Sequence, residues 1–204
     1  SDVCSSDLWL DSGAYTGQVS ARQLYEFGCD FCIVGHSETR GRFGVAGVPD
    51  STLPFFGETN ETINLKIKAL LYQGITPILC VGETEAEREE GVTESVIRHQ
   101  INEALAGIES EELYTLVVAY EPVWAIGTGK VCDADEADRI CGQIRSFIAL
   151  AADAGAAEYV RVLYGGSVKE DNARELFSKP NIDGALVGGA SLEAPGFAKI
   201  VNSA

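Results

Sequence analysis

A parallel α/β fold is what this 204-residue sequence predicts, and three observations carry the prediction. Segments that read as strands alternate strictly with segments that read as helices, the pattern of a parallel sheet with right-handed crossovers. The strand-like runs are apolar without a break, as in LVVA at 116–119, which suits strands buried on both faces. Polar or glycine-rich sequence follows each run, and the carboxyl ends of strands are where loops build the active site in such folds.

Taken in order, the opening SDVCSSDLWL has no clear periodicity and predicts no element. GAYTG at 13–17 reads as a turn-rich loop. Ser20 then has the chemistry of an N-cap for a helix over 21–27, ended by Gly28. A strand is predicted at 31–35, a helix at 59–72 stopped by Gly74, and a strand at 76–81. A helix follows over 85–106, interrupted near Gly91, then a strand at 116–120 and a helix at 135–152. The series ends with a strand at 160–164, a helix at 169–177, a strand at 184–187 and final helical turns. Residues 41–56 break this rhythm with Gly, Pro and Ser and no period, so they read as a long surface loop of insertion character. The charge run from Glu83 to Glu90 reads as a solvated helix face. No linker divides the chain, so one domain over 1–204 is expected.

Bulk properties narrow the function classes. A 46% hydrophobic content over this length is enough for one sizeable core, and no apolar run approaches the roughly 20 residues needed to span a bilayer. Fifteen Lys and Arg against thirty-one Asp and Glu give a net charge of −16, without a basic cluster, which opposes binding to nucleic acid or an anionic membrane. Six scattered cysteines favour free thiols in a reducing compartment. The Cys29-x-x-Cys32 pair leads into an apolar run rather than a strand-to-helix turn, so buried thiols are expected there. With no recognisable signal peptide, the expected location is the cytoplasm.

The chemistry gathers after the strands. Glu121 ends the strand at 116–120, where desolvation is expected to raise its pKa toward the range useful for a base; the competing reading is a salt-bridged or capping glutamate. The segment after it, Pro122-Val123-Trp124-Ala125-Ile126-Gly127-Thr128-Gly129, starts stiff and ends in glycine, which fits a hinged lid as well as a surface loop with a buried tryptophan anchor. His36 follows the 31–35 strand and could polarise a carbonyl, although a single histidine is commonly structural; His99 falls mid-helix. Three glycine turns, Gly127 with Gly129, Gly165-Gly166-Ser167 and Gly188-Gly189, expose backbone N–H groups that can converge on a phosphate. None has the spacing of a nucleotide-binding motif. A base, an electrophile, a phosphate cradle and a lid together suit proton abstraction next to a carbonyl in a small phosphorylated substrate.

These residues carry a family resemblance. GAYTG (13–17), IVGHSE (33–38), CVGE (80–83), YEPVWAIGTGK (120–130), YGGSV (164–168) and DGALVGGASL (183–192) run in one order and together resemble the triosephosphate isomerases. The resemblance implies a parallel (β/α)8 TIM barrel and interconversion of glyceraldehyde 3-phosphate with dihydroxyacetone phosphate through an enediolate, in glycolysis and gluconeogenesis. It implies Glu121 as the base and His36 as a neutral electrophile, a pairing carried over from the family. Gly127, Ser167, Gly188 and Gly189 would hold the phosphate, Ser37 and Glu38 would support the histidine, and the 122–129 segment would close over the site. The 13–17 loop would insert into a second copy of the chain, with Thr16 near the partner's pocket, making a homodimer. No organic cofactor is implied, and no His, Cys, Asp and Glu cluster has metal-ligand spacing.

The sequence departs from the family at its start. The family's Asn-x-Lys stretch, whose lysine binds substrate, has no counterpart, since the first lysine is Lys66. Five strands can be read between residues 31 and 187, whereas closure takes eight strands and typically about 250 residues. An incomplete barrel of about five strands is therefore expected, with 1–10 a foreign start or truncation scar and with two open sheet edges that favour poor folding or self-association. Two other readings stand beside the isomerase: a non-catalytic phosphate-ligand binding protein or inactive isomerase fragment, and a different βα-barrel enzyme acting on a sugar phosphate.

Overall fold

The computed structural model describes residues 3–5, 8–43 and 49–204. Six parallel strands form one sheet in chain order, β1 to β6: Val3–Ser5, Phe31–Val34, Thr76–Val81, Val117–Tyr120, Arg161–Tyr164 and Gly184–Ala185. The five expected strands are all present. The structure adds a sixth, because Val3–Ser5 pairs in register with Phe31–Ile33. A three-residue strand has no periodicity to read, and parallel pairing is non-local, so the opening residues carried no signal for it. Residues 1, 2, 6 and 7 of the start lie outside the described residues, as do 44–48 of the 41–56 loop. Within that loop Asp50–Phe55 forms a 3-10 turn.

The continuous apolar runs are explained by two cores. Along β4, Val118 and Tyr120 pack into the large cluster under the helices, while Val117 and Ala119 face a smaller cluster with Ile78 and Cys80 of β3. Alternate residues thus point to opposite faces, and both faces exclude water. The larger cluster takes in residues from Ala21 to Ile200. Among the described residues β1 and β6 do not pair with one another, so the sheet has two edges.

Helix ends follow local chemistry. Helix α1 (Ala21–Glu26) starts on a Ser20 and Gln23 capping box, and α2 (Asn60–Gln73) starts on Thr59 and stops at Gly74, whose φ of 77° is left-handed. The helix expected over 85–106 with an interruption near Gly91 is two, α3 (Glu85–Glu89) and α4 (Thr93–Ala104), parted by Gly91 at φ 73° as expected. Next come α5 (Ala134–Ala151), capped by Asp133, and a short helix the sequence reading missed, α6 (Ala154–Tyr159), whose N-cap Asp153 accepts from the Ala156 amide at 2.8 Å. Helix α7 (Ala173–Phe177) starts later than expected because the Asn172 side chain accepts from the Lys169 amide and donates to the Ser167 carbonyl, holding 167–172 as a turn. The chain ends with α8 (Ala194–Val201).

Five of the six cysteines are buried, Cys29 and Cys32 among them as expected, and Cys4 is half-buried. The Cys29 sulfur lies against Cys4 of β1, with 2.7 Å between the two. No helix among the described residues is long and apolar enough to cross a membrane.

Candidate active site

The carboxyl ends of β2, β4, β5 and β6 converge on one cavity of about 530 Å³. It brings together His36, Glu38, Gly127, Ser167, Gly188 and Gly189, all six singled out in the sequence, along with Lys169, the one lysine or arginine in its lining among the described residues. Ser37 and Glu121 lie behind this wall, 4% and 2% exposed. Glu121 is nonetheless joined to it, because its Oε1 lies 2.8 Å from His36 Nε2 and its Oε2 accepts the Ser37 amide at 3.0 Å. Oε1 has no hydrogen bond of regular geometry, so one buried carboxylate oxygen stays available to a proton.

Close approach of backbones makes room for this carboxylate. A Cβ on Gly82 would sit 1.8 Å from the Glu121 carbonyl oxygen, and one on Gly165 would sit 3.1 Å from Glu121 Cγ. Glycines at these strand ends let β3, β4 and β5 pinch together, with the Glu121 amide bonded to Val81 O at 2.7 Å and the Gly165 amide to Tyr120 O at 2.7 Å. Gln100 of α4 fixes Gly82 by bonding both its amide and its carbonyl.

The histidine is oriented from the other side. Its Nδ1 accepts the Glu38 amide at 3.3 Å, which assigns the proton of the neutral ring to Nε2, the nitrogen facing Glu121. The Glu38 carboxylate is 3.9 Å from Nδ1 and mostly exposed. The contact with Glu121 pushes the His36 pKa above its ordinary 6.5, and burial only partly opposes it. Below the turn, Glu58 accepts from the Gly35 amide at 3.0 Å and from Lys66 Nζ at 2.6 Å. The Arg40 guanidinium bonds the Gly35 carbonyl and Asn60 Oδ1, each at 2.6 Å, and the Cys80 carbonyl at 3.1 Å; burial pushes its pKa down to about 10.

The segment at 122–129 begins as a 3-10 turn, Val123–Ala125, with Trp124 buried, and ends on Gly127 and Gly129 at φ 69° and 80°. Trp124 donates its Nε1–H to Glu83 Oε1 at 2.8 Å. The reading of 83–90 as one solvated face is therefore wrong for Glu83, which is 0% exposed and whose carboxyl is pushed up in pKa chiefly by burial. Its position two residues after β3 was the overlooked signal, since a side chain leaving a strand buried on both faces is easily desolvated. At the third glycine turn, Gly188 leads into a 3-10 turn over Gly189–Leu192, and a Cβ on either glycine would meet open space. Among the described residues no three of His, Cys, Asp and Glu are grouped to hold a metal ion.

The model of the family described as Triosephosphate isomerase matches residues 6–204. The triosephosphate isomerase of Chlorobium phaeobacteroides is 49% identical over 207 aligned residues, which cover 100% of this chain and 77% of that protein. Those of Chlorobium luteolum and Acetivibrio thermocellus are 50% and 47% identical, covering 98% and 94% of this chain and 74% and 71% of theirs.

Proposed function

Because the chain belongs to the triosephosphate isomerase family, we propose that it interconverts glyceraldehyde 3-phosphate and dihydroxyacetone phosphate by proton transfer through an enediolate. The observation that carries this reading is the pairing of Glu121 Oε1 with His36 Nε2 at 2.8 Å beside a cavity bordered by three glycine turns. Glu121 takes the proton from the carbon next to the substrate carbonyl. The electron pair left behind moves onto the carbonyl oxygen, and the His36 Nε2–H stabilises the charge that develops there. The hydroxyl proton on the first carbon passes to that oxygen, and the same carboxyl group returns its own proton to the former carbonyl carbon, leaving the carbonyl on the first.

Glu121 and His36 touch each other, so the substrate carbonyl has to separate them. Glu121 is the residue before the 122–129 segment, so movement of that segment over the substrate repositions the base with it. The amides of Gly127, Ser167, Gly188 and Gly189 take the phosphate, and closure keeps water from the intermediate. Ser37 and Glu38 act through their amides, the first on the base and the second on the imidazole.

The reading extends to a homodimer in the cytoplasm. The 13–17 loop is exposed, with Tyr15 44% accessible, and is free to reach a second copy with Thr16 foremost.

The test is isomerase turnover of the purified chain beside Glu121→Gln prepared identically. Turnover is expected to fall at least a hundredfold in the variant, the low end of what a general base contributes, about 10²–10⁴-fold. Equal turnover in the two proteins, or none in either, rejects the reading.

A further inference from the structure

Two side chains of the charged run, Glu83 and Arg88, touch the lid at Trp124. From α3 the Arg88 guanidinium lies 4.2 Å over the Trp124 ring. Its Nη1 is 3.3 Å from Glu136 Oε1 on α5 and 3.8 Å from the buried Glu83 Oε1. That Glu83 oxygen also accepts from Trp124 Nε1 at 2.8 Å and from the Tyr120 hydroxyl at 3.2 Å. The Val123 amide bonds the Glu83 carbonyl at 3.1 Å, so the first turn of the lid is held at three points: backbone, indole N–H and indole face. Beyond it, Gly127 and Gly129 take left-handed φ values on either side of Thr128, whose hydroxyl donates to the Trp124 carbonyl at 2.8 Å and ties the tip to the same turn.

We propose that Arg88 is a positioning residue for the lid: its stack on Trp124, braced by Glu136, favours the lid position seen here over one closed across the phosphate site. The inference rests on the proposed function, since it takes the 122–129 segment to close on a phosphate. A movement that carries Trp124 toward the glycine turns breaks both the stack and the Glu83 bond. Weakening the stack therefore shifts the balance toward closure. Ligand that binds the closed form then binds more tightly and leaves more slowly, so KM and kcat fall together.

Trp9 and Trp124 are the two tryptophans, so a Trp9→Phe background makes fluorescence report on Trp124 alone. In that background, inorganic phosphate is titrated into the parent, Arg88→Lys and Arg88→Met, and isomerase kinetics are recorded on the same proteins. Arg88→Met is expected to bind phosphate about two- to fivefold more tightly, the scale of one partly exposed cation–π contact. Arg88→Lys keeps the charge without the planar face and is expected to fall between, and it carries the test if the methionine variant is poorly folded. Phosphate binding that is unchanged or weaker in the folded variants overturns the inference. So does a parent whose Trp124 signal ignores phosphate. Glu121-dependent turnover in that same parent would leave the isomerase reading standing while this inference falls.

Discussion

Glu121 Oε1 lies 2.8 Å from His36 Nε2, and that contact ties the site to pH. The His36 pKa is raised by Glu121 foremost, so the folded state binds the imidazolium proton more tightly than the unfolded chain does. The stabilisation from this pair is fully present below pH 6.5 and is lost as pH rises through the raised value. Catalysis runs the other way, because the oxygen of the intermediate needs a neutral ring donating from Nε2, so turnover is expected to rise through that same value. A proton NMR titration of the His36 ring checks this. Its midpoint should lie above 6.5 in the parent, and Glu121→Gln should lower it, since the opposing effect of burial then remains. A midpoint that does not respond to Glu121→Gln would mean the contact does not govern the ring.

The strand ends hold this pair in place, and their glycines are the exacting positions. Gly82→Ala would put a methyl group 1.8 Å from the Glu121 carbonyl oxygen. Relief requires backbone movement, so the variant should lose stability on the order of 1–3 kcal/mol in a denaturant titration and lose turnover as Glu121 is displaced. Parent-like values of both would contradict the pinched arrangement of β3 and β4. Much of this level could be read from the sequence: the Thr76–Val81 strand, the Ser20 cap, Gly74 and the residues after each strand all follow from local chemistry. The rest depended on contacts between distant segments. Gly82 was part of a family motif with no reason for its glycine until β4 lay beside it. Glu83 and Arg88 read as solvated charge, although Trp124, 41 residues from Glu83, buries the one and stacks on the other. Strand β1 became visible only through its pairing with β2.

The whole molecule presents two short sheet edges, three residues at β1 and two at β6, and a small inner core of Ile78, Cys80, Val117 and Ala119 flanked by half-buried Phe31, Ile33, Leu163 and Leu186. Leu192 at 84% and Val201 at 56% exposure add apolar surface near the β6 edge. Apolar surface and edges on this scale favour association, so light scattering after size exclusion should return a mass above the 21.7 kDa of one chain. A monodisperse monomer at micromolar concentration would refute that expectation. The central claim, that Glu121 moves a proton at a carbon next to a carbonyl, is tested most directly by incubating the chain with dihydroxyacetone phosphate in D2O and following the substrate by proton NMR. The account predicts deuterium at the carbon that loses its proton, with exchange suppressed in Glu121→Gln. Exchange that proceeds equally in both proteins, or turnover that does not depend on Glu121, would contradict it.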